Sequence, residues 1–259
     1  MPYILIPFFL GIIDGVLINI LVDTLPHSSK EPHCPNPNCR SSLLWIDYLL
    51  GRDCSHCGKH RWVRFWILIV TSIIVSVLLW LHPIEVLGYW LGMAIFSYLV
   101  LVAVIDLEFH LIIRWVSVAG ILLGFLTGYL TQGIISTLLG AASGFIILFT
   151  LYLFGKLFSK IRAKRKGNNN PADEALGSGD VTLALILGLM VGWPLIWFNI
   201  LFGVLLAGAL SLLIILGLLV TRRYKENAFM VFIPLGPGFI LITFLIIYFP
   251  QFLSSVIKG

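Results

Sequence analysis

The sequence predicts an all-α fold: a polytopic helical membrane protein of about eight transmembrane helices. Three observations carry this. Of the 259 residues, 59% are hydrophobic and 11% charged, and the mean hydropathy is +1.01. A soluble domain of that size needs a polar surface, which this composition does not supply. The apolar residues come in long runs, and in lipid only helices and closed barrels satisfy every backbone group. Of the 17 Lys and Arg residues, all but Lys156 and Lys258 fall in alternate polar stretches between those runs.

Taken in order, the apolar runs are residues 4–22, 65–81, 86–105, 115–130, 134–158, 181–191, 195–220 and 229–249. A helix needs about 20 residues to cross the hydrocarbon core. The first run is not a cleavable signal peptide, because no Lys or Arg precedes Lys30. It holds Asp14, a costly residue at that depth, which is expected to face the bundle interior or a water path near Asn19. The sixth run is too short to cross alone. Either it tilts into a cavity or it runs on past Gly192-Trp193-Pro194. A short helix there would start Asp180 below the membrane surface, in a water-filled pocket.

The basic residues orient the chain. The stretch after the first run holds Lys30, Arg40, Arg52, Lys59, Arg61 and Arg64, and the stretch after the third holds Arg114. The stretch after the fifth holds Lys160, Arg162, Lys164, Arg165 and Lys166, and the one after the seventh holds Arg222, Arg223 and Lys225. The intervening stretches around His82-Pro83, Thr131-Gln132 and Trp193 hold none. By the positive-inside rule, the basic stretches face the cytoplasm and both termini face outside. The formal charge of +5 is therefore a topology signal and not a nucleic-acid surface.

The first cytoplasmic stretch carries all four cysteines, as Cys34-x4-Cys39, fourteen residues, then Cys54-x2-Cys57. The cytoplasm is reducing, so disulfides are disfavoured. Four thiolates from two short knuckles suit tetrahedral zinc, and Pro35, Pro37 and Gly58 supply the turns. With four protein ligands the metal is structural, leaving no open position for water. His33, His56 and His60 are read as solvated neighbours.

Two carboxylates stand at comparable places. Asp106 closes the third run, and Asp180 opens the sixth within Gly177-Ser178-Gly179-Asp180. Both fall at cytoplasmic ends of their runs. Brought together, two aspartates can share one proton and activate water. Gly177 and Gly179 either let a substrate strand lie close to Asp180 or form a plain helix N-terminal turn. Glu108 and Asp173-Glu174 are read as solvated loop charges, with a role in binding a basic peptide as the sharper alternative.

These residues resemble the bacterial type IV prepilin peptidases, which are GxGD membrane aspartic proteases. Gly177-Ser178-Gly179-Asp180 resembles their GxGD motif, and Asp106-Leu107-Glu108-Phe109-His110-Leu111-Ile112 their first aspartate motif. Gly15-Val16-Leu17-Ile18-Asn19 with Leu25-Pro26 is similar to their opening segment, the cysteines to their tetra-cysteine domain, and Ile233-Pro234-Leu235-Gly236-Pro237 to their I-P-F-G-P segment. The resemblance implies a multi-pass protein of the bacterial inner membrane. It would cleave the basic leader from prepilins or prepilin-like proteins on the cytoplasmic side, with Asp106 and Asp180 catalytic. It divides the chain into a first helix (1–25), a zinc loop (26–64) and a membrane-embedded core (65–259). The resemblance also implies N-methylation of the new N-terminus from S-adenosylmethionine. Departures at Tyr48-Leu49-Leu50 and Trp62–Trp66 fall in the part associated with that activity and count against it. Ile113, where the family has Pro, and Thr182, where it often has Lys, are further departures. They favour a rival reading, a non-enzymatic zinc-loop scaffold or assembly factor with the same fold.

Overall fold

The computed structural model describes residues 5–26, 54, 62–166, 177–220 and 235–250. Among these there are eight helices and no strand. The helices are α1 (Leu5–Thr24), α2 (Trp62–Leu81), α3 (Gly88–Phe109), α4 (Arg114–Gln132), α5 (Ile134–Lys166), α6 (Ser178–Val191), α7 (Leu195–Val220) and α8 (Gly236–Tyr248). Six are long and apolar enough to cross a membrane. Many of their large apolar side chains face outward, among them Ile13, Ile74, Leu122, Ile135 and Leu213. A surface of that kind suits lipid and not water. The chain is a multi-pass helical membrane protein.

Every predicted run contains a helix, and all but the seventh differ from it at one end or both. Segment two starts at Trp62 and not at 65, so Arg64 belongs to a helix. The third helix runs through Asp106 to Phe109, which puts that carboxylate in its last turn. The sixth helix stops at Val191, where Gly192 turns out at φ 70°. Segment eight begins at Gly236, and residues 229–234 lie outside the described part.

The chain divides into two compact units, Met1–Ile113 and Arg114–Gly259. In the first, α1, α2 and α3 pack against one another. Small residues let backbones meet where lipid removes the usual apolar driving force. A Cβ on Gly11 would stand 2.6 Å from the Ile73 Cα, and one on Gly15 2.7 Å from the Ile69 Cα. The buried Ser76 hydroxyl donates to the Pro7 carbonyl (2.6 Å) and meets the Tyr89 hydroxyl (2.8 Å), tying α2 to both neighbours. Asp14 is held within this bundle. The Ser97 hydroxyl of α3 donates to its Oδ1 (2.5 Å), and the buried Ser72 hydroxyl of α2 faces the same carboxyl.

The second unit is built around α6. This helix packs against α4, α5, α7 and α8, and Val181, Leu183, Ala184, Ile186, Leu187, Leu189, Met190 and Val191 are all buried. A helix apolar all round belongs in an interior. Fourteen residues span only about 21 Å, too short for a bilayer but enough for the middle of a bundle. Its closest neighbour is α5: a Cβ on Gly188 would collide with the Gly140 carbonyl, and one on Gly140 with the Gly188 carbonyl. The α7–α8 contact carries one polar tie, Asn199 Nδ2 donating to Thr243 Oγ1 (2.7 Å).

Candidate active site

Asp106 stands one turn from the end of α3 and is buried, with 5% of its surface exposed. The helix ends because His110 takes up the left-handed conformation (φ 53°, ψ 35°) and its N–H returns to the Asp106 carbonyl (3.1 Å). That geometry satisfies an otherwise orphaned carbonyl, and it is unusual for a residue other than glycine. Asp106 therefore lies at the negative end of its helix dipole, which works against a carboxylate charge.

Asp180 stands at the opposite kind of end. Gly177 is the N-cap of α6 in an extended conformation (φ −75°, ψ 145°), and Asp180 lies in the first turn. Its backbone N–H donates to the Gly177 carbonyl (3.2 Å), and its carboxylate accepts from the Gly177 N–H. The side-chain bond is one half of a capping box, an acidic group reaching back over the turn to the N-cap N–H; Gly177 has no side chain to supply the other half. Partial burial works against charge here, and the Gly177 N–H offsets it only in part. Gly177 is exposed, and Gly179 is half-buried in the same turn.

Asp106 belongs to the first unit and Asp180 to the second. The fold brings Gly177, Gly179 and Asp180 into one turn. Of the predicted zinc ligands, Cys54 is buried, and Cys34, Cys39 and Cys57 lie outside the described residues.

Sequence reasoning missed one cluster. Asp23, in the last turn of α1, is almost fully buried, and both its oxygens accept from Arg64 Nη2 (2.8 and 2.7 Å). Arg64 Nη1 donates to Glu108 Oε2 (2.5 Å). The expectation that Glu108 is a solvated loop charge is therefore corrected: it is the exposed arm of an ion-pair network. The missed signal was a carboxylate at the very end of an apolar run, one residue past Val22, where burial calls for a cationic partner.

Residues 93–216 match the type IV leader peptidase family, a span that contains both Asp106 and Asp180. The chain is 25% identical over 212 residues to the prepilin leader peptidase/N-methyltransferase of Klebsiella pneumoniae, covering 72% of this chain and 84% of that protein. No solved structure is significantly similar. Both carboxylates lie inside the matched span, at the helix ends just described, and over that span the chain is similar to the type IV leader peptidase family.

Proposed function

We propose that this chain is a membrane aspartic endopeptidase that removes the basic leader from prepilins or prepilin-like proteins, with Asp106 and Asp180 as its catalytic pair. The observation that carries the reading is the single family match that holds both carboxylates, each placed at a helix end. The two stand at opposite kinds of helix end, so their surroundings differ, as they must for one to hold a proton that the other lacks. The ionised member takes a proton from water. The protonated member gives its proton to the scissile carbonyl oxygen as the water oxygen adds to the carbonyl carbon; collapse of the adduct then breaks the C–N bond, and the proton taken from water passes to the leaving amine. The basic stretches and the carboxylates lie on the cytoplasmic side in this reading, so a leader is cut where it leaves the membrane.

The four cysteines would hold a structural zinc, with Cys54 buried as an enclosed ligand is. N-methylation from S-adenosylmethionine is not part of the proposed activity. Trp62–Trp66, one of the departures that bear on it, is the first turn of α2, where Arg64 is engaged by Asp23 and Glu108.

Asp106→Asn and Asp180→Asn test the proposal. Each should lower prepilin cleavage by at least about 10³-fold, because an amide neither accepts the proton nor returns it. The double variant should be no worse than either single one, since the pair acts as a unit. Both proteins should accumulate in the membrane normally. Substantial cleavage by Asp180→Asn would instead favour the scaffold reading.

A further inference from the structure

The first unit carries a charged cluster that the cleavage chemistry does not use. Asp23, Arg64 and Glu108 come from the last turn of α1, the first turn of α2 and the last turn of α3. One guanidinium serves two carboxylates: Nη2 is shared by both Asp23 oxygens and Nη1 goes to Glu108. Arg64 is thereby fixed on a buried anchor and holds α3 by a residue two positions from Asp106.

We propose that Arg64 is a positioning residue for Asp106, held by Asp23 and acting through Glu108 on the last turn of α3. The proposal rests on Asp106 being catalytic.

Helix joining alone does not call for such a cluster. Gly11 and Gly15 already seat α1 on α2, and a buried ion pair is often no more stabilising than apolar residues of the same volume. The last turn of α3, by contrast, is a place that needs holding. Its final carbonyls have no intrahelical partners. Its stop is a left-handed His110 instead of the glycine that such a position favours. Glu108 lies between Asp106 and that stop, so the Arg64–Glu108 bond pins the turn that carries the carboxylate. Arginine suits the task because its planar fork addresses two carboxylates from fixed directions, which an ammonium does not.

The test uses the full-length protein purified into lipid, a prepilin with a basic leader as substrate, and separate values of kcat and KM. Arg64→Gln should lower kcat by about 10²-fold and Glu108→Gln by about tenfold, both with KM within about twofold of the parent, as expected when a reacting group is displaced by an ångström or less. Arg64→Lys should recover part of the Arg64→Gln loss. Asp106→Asn and Asp180→Asn run beside them as inactive references. If the references are inactive while Arg64→Gln and Glu108→Gln keep kcat within twofold, the positioning role is overturned and the peptidase reading stands. A rise in KM at unchanged kcat also overturns it, since the pair would then be binding substrate. Should Arg64→Gln fail to accumulate, Glu108→Gln decides, because it leaves the Asp23–Arg64 pair in place. References that still cleave would remove the peptidase reading and this inference with it.

Discussion

Gly177 is exposed at the cap of α6 in a conformation any residue can adopt, and a Cβ there would meet nothing nearer than Asp180 Oδ2 at 3.8 Å. The fold itself does not require glycine at this position. Gly177→Ala should cost about 1 kcal/mol or less in stability, the size of an N-cap change. Cleavage should nevertheless fall by about tenfold or more if a substrate strand lies against that backbone. Thermal unfolding and a cleavage assay on one preparation decide it, and full activity would leave Gly177 as a plain turn residue. Single residues were legible in sequence where they break an apolar run: Asp106 and Asp180 stand at run ends, and Asp14 stands out inside one. Asp23 was not, although it shares that character. Its partner Arg64 is 41 positions away and read as a loop charge until α2 was seen to begin at Trp62.

The elements were legible because lipid imposes one rule on all of them. The seventh, residues 195–220, was read at both ends, bounded by Pro194 before it and Thr221-Arg222 after. Where α6 stops was not legible, since an apolar sequence does not say whether a glycine turns the chain or joins a helix. Its close packing on α5 was hidden for the same reason. Gly188 looks like any glycine in a membrane helix, yet a side chain there would collide with the α5 backbone at Gly140 and Ala141. Gly188→Val should destabilise the protein by about 1–3 kcal/mol or more, as overpacking does. Gly208→Ala in α7 is the contrasting change, with nothing within 4 Å of its Cβ and a better helix former in place. The thermal midpoint in detergent should drop for the first and hold or rise for the second. Equal midpoints would contradict the close α5–α6 contact.

At the scale of the whole molecule, composition alone declared the membrane, and each apolar run holds one of the eight helices among the described residues. The division at Ile113/Arg114 was not visible, because it falls in a short joint, His110-Leu111-Ile112-Ile113, with no change of composition. Orientation and metal can be tested together, since all four cysteines belong to one proposed cytoplasmic loop. An impermeant maleimide should leave right-side-out vesicles unlabelled. In inside-out vesicles it should label the protein only after a strong chelator has removed zinc, because zinc-bound thiolates are shielded. Labelling from the outer face would reverse the proposed topology, and full labelling without chelation would remove the zinc.

The shared guanidinium of Arg64 also constrains how this protein can drift. Losing Arg64 first would take the cation from the buried charge of Asp23, a costly single change. Losing Asp23 first would take the buried anchor from the guanidinium, which would still meet the exposed Glu108. The routes open to descendants run through Glu108, whose loss is mildest, or through paired changes in which both charges vanish together. The three positions are thus inherited as one character, although more than forty residues separate the arginine from either acid.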